Sequence, residues 1–149
     1  MRVSISNTTT ASNDTSLENV SRQMSDCAVT LYNDLKEVLT NFGAYTTNLY
    51  NLLGLLRFDA ATREKVDLLL TRHRVLESFL GQLLGEIWKF QKTISKNQRR
   101  ADYGLLLLHE SRLNGFYQDT SMIESAMLRF ELDYTTFIAE MESMLREKN

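Results

Sequence analysis

Apolar residues recur at steps of three and four along most of this chain, the period of one face of an α-helix. The first row runs from Leu17 through Val20, Met24, Cys27, Leu31, Leu35, Val38, Phe42, Tyr45, Leu49, Leu52 and Leu56, with one extra four-residue step at Leu31 to Leu35. Such an insertion locally unwinds a heptad seam. The spacing predicts a first helix over about 16–57. Gly43 and Gly54 lie inside it, and because the phase survives Gly43, one long helix is preferred to two, with an interruption after Asn41-Phe42-Gly43 left open. Between Leu49 and Phe58 the apolar residues spread beyond one face, which implies burial by more than one neighbour.

Asp59 fits the N-cap of a second helix. The seam that follows is the clearest in the sequence: Val66, Leu69, His73, Leu76, Leu80, Leu83, Ile87, Phe90 and Ile94 alternate three- and four-residue steps without a slip. A row this long supports a coiled-coil assignment. In phase, it continues to Asn97, Ala101, Gly104 and Leu108, so it weakens at Asn97 and Gly104. The second helix is therefore expected over 60–113, with a break open between 97 and 104. Unbroken, it would reach about 80 Å at 1.5 Å per residue. It must either bend back on itself or project and find a partner.

Asn114-Gly115 is the strongest turn signal, since both residues tolerate positive φ. Ser121 and Glu124 then fit a capping box, with Asp119 or Thr120 as alternatives, and Ile123, Met127, Phe130, Tyr134, Phe137, Met141, Met144 and Leu145 predict a third helix over 120–147. Residues 1–15 are rich in Ser, Thr, Asn and Asp without a helical row and are expected to form a flexible polar tail. The pattern as a whole predicts an all-α chain, an elongated antiparallel coiled coil or three-helix bundle with long, unequal helices, built as a single domain over 16–149.

Composition agrees. There is no proline among 149 residues and only six glycines, so turns are few and sheet folds are disfavoured. Seventeen basic and nineteen acidic side chains give a net charge of -2, ordinary for a soluble protein. One cysteine, Cys27, excludes an internal disulfide, and no signal-like or membrane-spanning apolar run occurs, so a cytoplasmic location is expected.

Signatures of catalysis are missing: no HExxH, no ExxH pair, no P-loop, no GxGxxG and no CxxC. His73 sits in the seam, where a polar residue tunes register. His109 has no second histidine at ligand spacing, and Cys27 has no histidine beside it. We therefore expect no catalytic, cofactor-binding or metal-binding residue. The expected working surface is a partner interface made of Val66, Leu69, His73, Leu76, Leu80, Leu83, Ile87, Phe90 and Ile94, joined by Phe130 and Phe137.

One charge feature adds to this picture. Residues 89–100 hold five basic side chains and no acid, with Lys89, Lys92, Lys96 and Arg99 on the face opposite the seam and Arg100 at its edge. Residues 57–100 carry ten basic and five acidic side chains, and residues 101–149 carry four and nine, a complementarity suited to antiparallel packing within or between chains. The stripe reads either as a solvated face or as a contact for an anionic surface, a headgroup layer or an acidic partner. Nucleic acid is disfavoured by the acidic total and the lack of a recognition motif.

Asp67-Leu68-Leu69 with Arg72, Arg74, Leu76 and Phe79, the basic run 89–100, and Glu124 to Glu131 with Phe137, Met141 and Leu145 together resemble the second and third helices of the BAR domains of sorting nexins. That resemblance implies an antiparallel dimer of three-helix coiled coils that binds curved membranes through basic residues. The chain departs from it in its brief basic stripe and acidic total. Read from the residues themselves, the expected function is a non-enzymatic helical scaffold or adaptor subunit in a homodimer or larger complex. The alternative is a BAR-like peripheral membrane-binding dimer.

Overall fold

The computed structural model describes residues 14–55, 59–100 and 102–147, and it is a three-helix, all-α bundle without strands. Helix α1 spans Asp14–Leu55, α2 spans Ala60–Asn97, and α3 spans Tyr103–Glu147, with a short 3-10 turn at Gln98–Arg100 after α2. The polar tail expected over 1–15 falls, as far as residue 13, outside the described residues, as do Leu56 and Ala101.

Helix α1 runs through Gly43 without interruption. Its row is buried or half-buried from Leu17 to Leu52, so the phase that argued for one helix is the phase that packs. Asp59 caps α2, its carboxylate accepting from the Thr62 amide at 2.7 Å, and Asp102 caps α3 in the same way from the Leu105 amide at 2.8 Å.

The third helix corrects the sequence reading. Asn114-Gly115 was expected to turn and residues 119–124 to cap a new helix, yet both lie inside α3. The reversal falls instead where the α2 seam fades, between Asn97 and Tyr103, so no helix runs from 60 to 113. The physical reason is a second row that passes straight through the supposed turn: Leu106, His109, Leu113, Phe116, Thr120, Ile123, Met127, Phe130, Tyr134, Phe137 and Met141 alternate steps of three and four, all buried or half-buried. A glycine in a helix costs about 1 kcal/mol, while burying Leu113 and Phe116 returns about 1.5–3 kcal/mol each. Thr120 fits the helix interior because its hydroxyl donates to the Phe116 carbonyl at 2.7 Å.

Two compact units divide the chain, each drawing a stretch from every helix. In the unit of residues 14–38 and 81–121, α1 and α2 run antiparallel, with Ser25 beside Ser95 and Tyr32 beside Trp88. Phe90 of α2 there meets Phe116 of α3 edge-on at 5.3 Å. In the unit of residues 39–80 and 122–147, Arg72 pairs with Asp133 and Lys65 with Glu140, so α2 and α3 are antiparallel. Phe42 and Tyr45 of α1 both close edge-on onto Phe130, at 5.3 and 5.6 Å, at the centre of a core that includes Leu49, Val66, Leu69, Phe137 and Met141.

Truncating Phe130, which is fully buried, to alanine is expected to cost about 3–5 kcal/mol in urea unfolding. The opposite sign is expected at two exposed α2 positions, Gly81 and Gly85, where an added Cβ meets nothing within 4 Å and no unusual φ occurs. Gly81→Ala and Gly85→Ala should each raise stability by about 0.5–1 kcal/mol.

Candidate functional site

The seam expected to face a partner is spent inside the chain. Val66, Leu69, His73, Leu80, Leu83, Ile87, Phe90 and Ile94 are all buried, Leu76 is half-buried, and Phe130 and Phe137 lie in the core. Because α3 folds back along α2, the second helix meets its own chain where the sequence left a partner open. These side chains therefore hold the bundle, and the half-buried Leu76 also reaches the surface.

His73 shows how a polar residue is accommodated in such a row. Its ring stacks on Phe42 at 4.1 Å, Nε2 donates to the Phe42 carbonyl at 2.7 Å, and Nδ1 lies 2.8 Å from the Thr46 hydroxyl, which donates to it in the neutral ring. Both nitrogens are satisfied, so the ring fixes the register of α2 against α1 in that unit. Nearby, Tyr45 titrates above its ordinary value because of burial first and then a hydrogen bond to Glu131. In the other unit, Tyr117 is likewise raised, by burial first and then by Cys27 and Asp34. Cys27 is half-buried against that phenol. Among the described residues, no three His, Cys, Asp or Glu side chains converge as metal ligands.

Outside the core, two surfaces collect unusual chemistry. The first belongs to the unit of residues 14–38 and 81–121. Lys89, Lys92, Lys96 and Arg99 are exposed, as their spacing predicts, while the Arg100 side chain lies outside the described residues. Sequence reasoning missed Trp88, which is 45% exposed, stacks obliquely on Tyr32, and carries the Lys92 ammonium 5.2 Å from its ring centre. Gly85 and Gly81 lie one and two turns before it, on the same helix face.

The second surface is a groove between α2 and α3 in the other unit. Leu68, Val75 and Phe79 are about half exposed, in a row one residue, hence about 100°, around α2 from the seam. Opposite Val75, α3 presents Ser125 and Ala126, too small to fill the gap, and the resulting concavity of about 580 Å³ is bounded by Thr71, Arg72, Val75, Leu76, Ser125, Ala126 and Arg129. Thr71 donates its hydroxyl to the Asp67 carbonyl at 2.9 Å, so its polar atom is already engaged within α2. Toward residue 65 the groove is closed by the Arg72–Asp133 and Lys65–Glu140 ion pairs. The signal that could have found this surface was a second apolar row on α2, at spacings of seven and four.

Among the described residues, no helix is long and apolar enough to cross a membrane. The buried His109, 8% exposed, has no partner for Nδ1 and titrates below its ordinary 6.5, held down by burial first and then by the charge of Arg112. Unfolding lets this ring take up a proton that the folded chain refuses, so stability should fall as pH drops below about 6.5 toward the depressed folded value. His109→Leu is expected to flatten that slope in urea titrations between about pH 5 and 7.5. The chain matches no protein-family model, no curated protein and no solved structure.

Proposed function

We propose that this protein is a non-enzymatic helical adaptor that works by packing its exposed α2/α3 groove against another protein helix. The observation that carries the reading is Val75, left in solvent beside a gap that Ser125 and Ala126 do not fill, with Leu68 and Phe79 exposed in the same row of α2. Exposed apolar residues scattered singly are ordinary, but three aligned on one helix, one of them lining a concavity, suit a helix-in-groove contact. The row that holds the bundle meets the groove only at Leu76, which is already half-buried, so docking needs no opening of the core. The test is the size of the native assembly in cell extract. The wild-type chain is expected to migrate well above its own 17.2 kDa, and Val75→Glu/Phe79→Glu to run as the single chain with helical circular dichroism unchanged. Migration of the wild type as a single chain would sink the reading.

A second reading has its own observation. Trp88 beside Lys92, within a stripe that also holds Lys89, Lys96 and Arg99, combines an interfacial aromatic ring with cations, the pairing that suits a layer of anionic headgroups. Trp88 is the single tryptophan of the chain, so its emission reports directly. On this reading, vesicles with about 30% phosphatidylserine shift the emission to the blue at low salt, and Lys89→Glu/Lys92→Glu/Lys96→Glu abolishes the shift. No shift and no co-sedimentation at low salt would remove it.

A further inference from the structure

The groove runs beside an edge of α3 whose charge changes sign along its length. Ser125 and Arg129 lie at one end of that edge, and Glu140 and Met144 follow at three- and four-residue steps through positions 133 and 136. Arg129 borders the groove, is exposed and has no ion pair among the described residues. Met144 is 40% exposed, and Glu140 is held only by Lys65, at 3.5 Å in an ion pair more than half open to solvent on the lysine side. The beginning of the edge is thus small and basic with a hollow beside it, while the end is acidic with a protruding thioether.

Resting on the adaptor reading, and going further than it, we propose that the occupant of the groove is the end of α3 from a second copy of this chain, docked antiparallel. Antiparallel pairing about a two-fold axis sets residue 129 against residue 140 and residue 125 against residue 144. Arg129 then meets Glu140 of the second copy, and Met144 of the second copy enters the hollow between Val75 and Ser125. The same contacts repeat across the axis, so both grooves fill and the assembly closes at two chains. Parallel pairing would set Arg129 on Arg129 and Glu140 on Glu140, and charge excludes it. Methionine suits the seat, since its unbranched side chain adapts to an irregular gap.

Sedimentation equilibrium of the purified full chain tests this. The wild type is expected to show a monomer–dimer equilibrium across about 1–100 μM, and Arg129→Glu or Glu140→Arg to raise the dimer dissociation constant by about tenfold or more. The double variant Arg129→Glu/Glu140→Arg restores the opposite charges in exchanged places and should recover most of the wild-type affinity. Arg129 and Glu140 are both exposed, so folding is preserved, and circular dichroism verifies it. As a second measurement, Ser125→Cys/Met144→Cys in a Cys27→Ser chain should oxidise to a covalent dimer. The two positions lie about 28 Å apart along one helix, so no disulfide can form between them within one chain. A single mass of 17.2 kDa at every concentration, a dimer indifferent to Arg129→Glu, or a double variant that does not recover would each overturn the proposal. A monomer that still enters a larger, Val75- and Phe79-dependent assembly in extract would do so while leaving the adaptor reading intact.

Discussion

A helix turns through about 100° at each residue, so a side-chain row can stay on one face only while its steps alternate between three and four. That phase requirement governs this chain. From Leu106 to Met141, α3 keeps the alternation without a slip, and Phe116 is buried in one unit as Phe130 is in the other. Phe90 meets the first and Phe42 the second. A single inserted residue anywhere between would rotate every later side chain by a quarter turn and more, taking Phe130, Phe137 and Met141 out of their core. The lack of proline is one expression of this requirement, and the tolerance of Gly43 and Gly115 inside helices is another.

Much of the fold was legible because phase is written in the sequence. The first helix, the Asp59 cap, the α2 seam and the place where it fades could all be read from spacing. The Asn114-Gly115 turn misled because local turn preference is worth little beside two large side chains that must be buried on either flank. Tracing α2 onward in phase through Gly104 and Leu108 also concealed the second row that begins at Leu106. The working surfaces were less legible. Helix α2 carries two apolar rows about 100° apart, and spacing alone does not say that Leu69 and Leu80 face inward while Leu68 and Phe79 face water. That choice is made by where α3 returns. The exposed lysines were predictable from their position opposite the seam, but Trp88, drawn out beside Tyr32, was not.

The polar groups inside the bundle are handled unequally. His73 is satisfied on both ring nitrogens and acts as a register pin, whereas His109 leaves one nitrogen without a partner. The threonines dispose of their hydroxyls locally: Thr71, Thr93, Thr120 and Thr136 each donate to the carbonyl four residues back. The surface they leave is more apolar than the residue count suggests, and Thr71 does this at the border of the groove.

Each compact unit is made of discontinuous stretches, residues 14–38 with 81–121 in one and 39–80 with 122–147 in the other. Neither is therefore a length of chain that a protease or a gene fusion could release whole. Any single cut that leaves one unit's sequence continuous severs the other, and a fragment ending before α3 strips the aromatic rings of Phe116 and Phe130 from both cores at once. Minimal versions of this protein are to be sought by shortening the ends of its helices in register and not by dividing the chain.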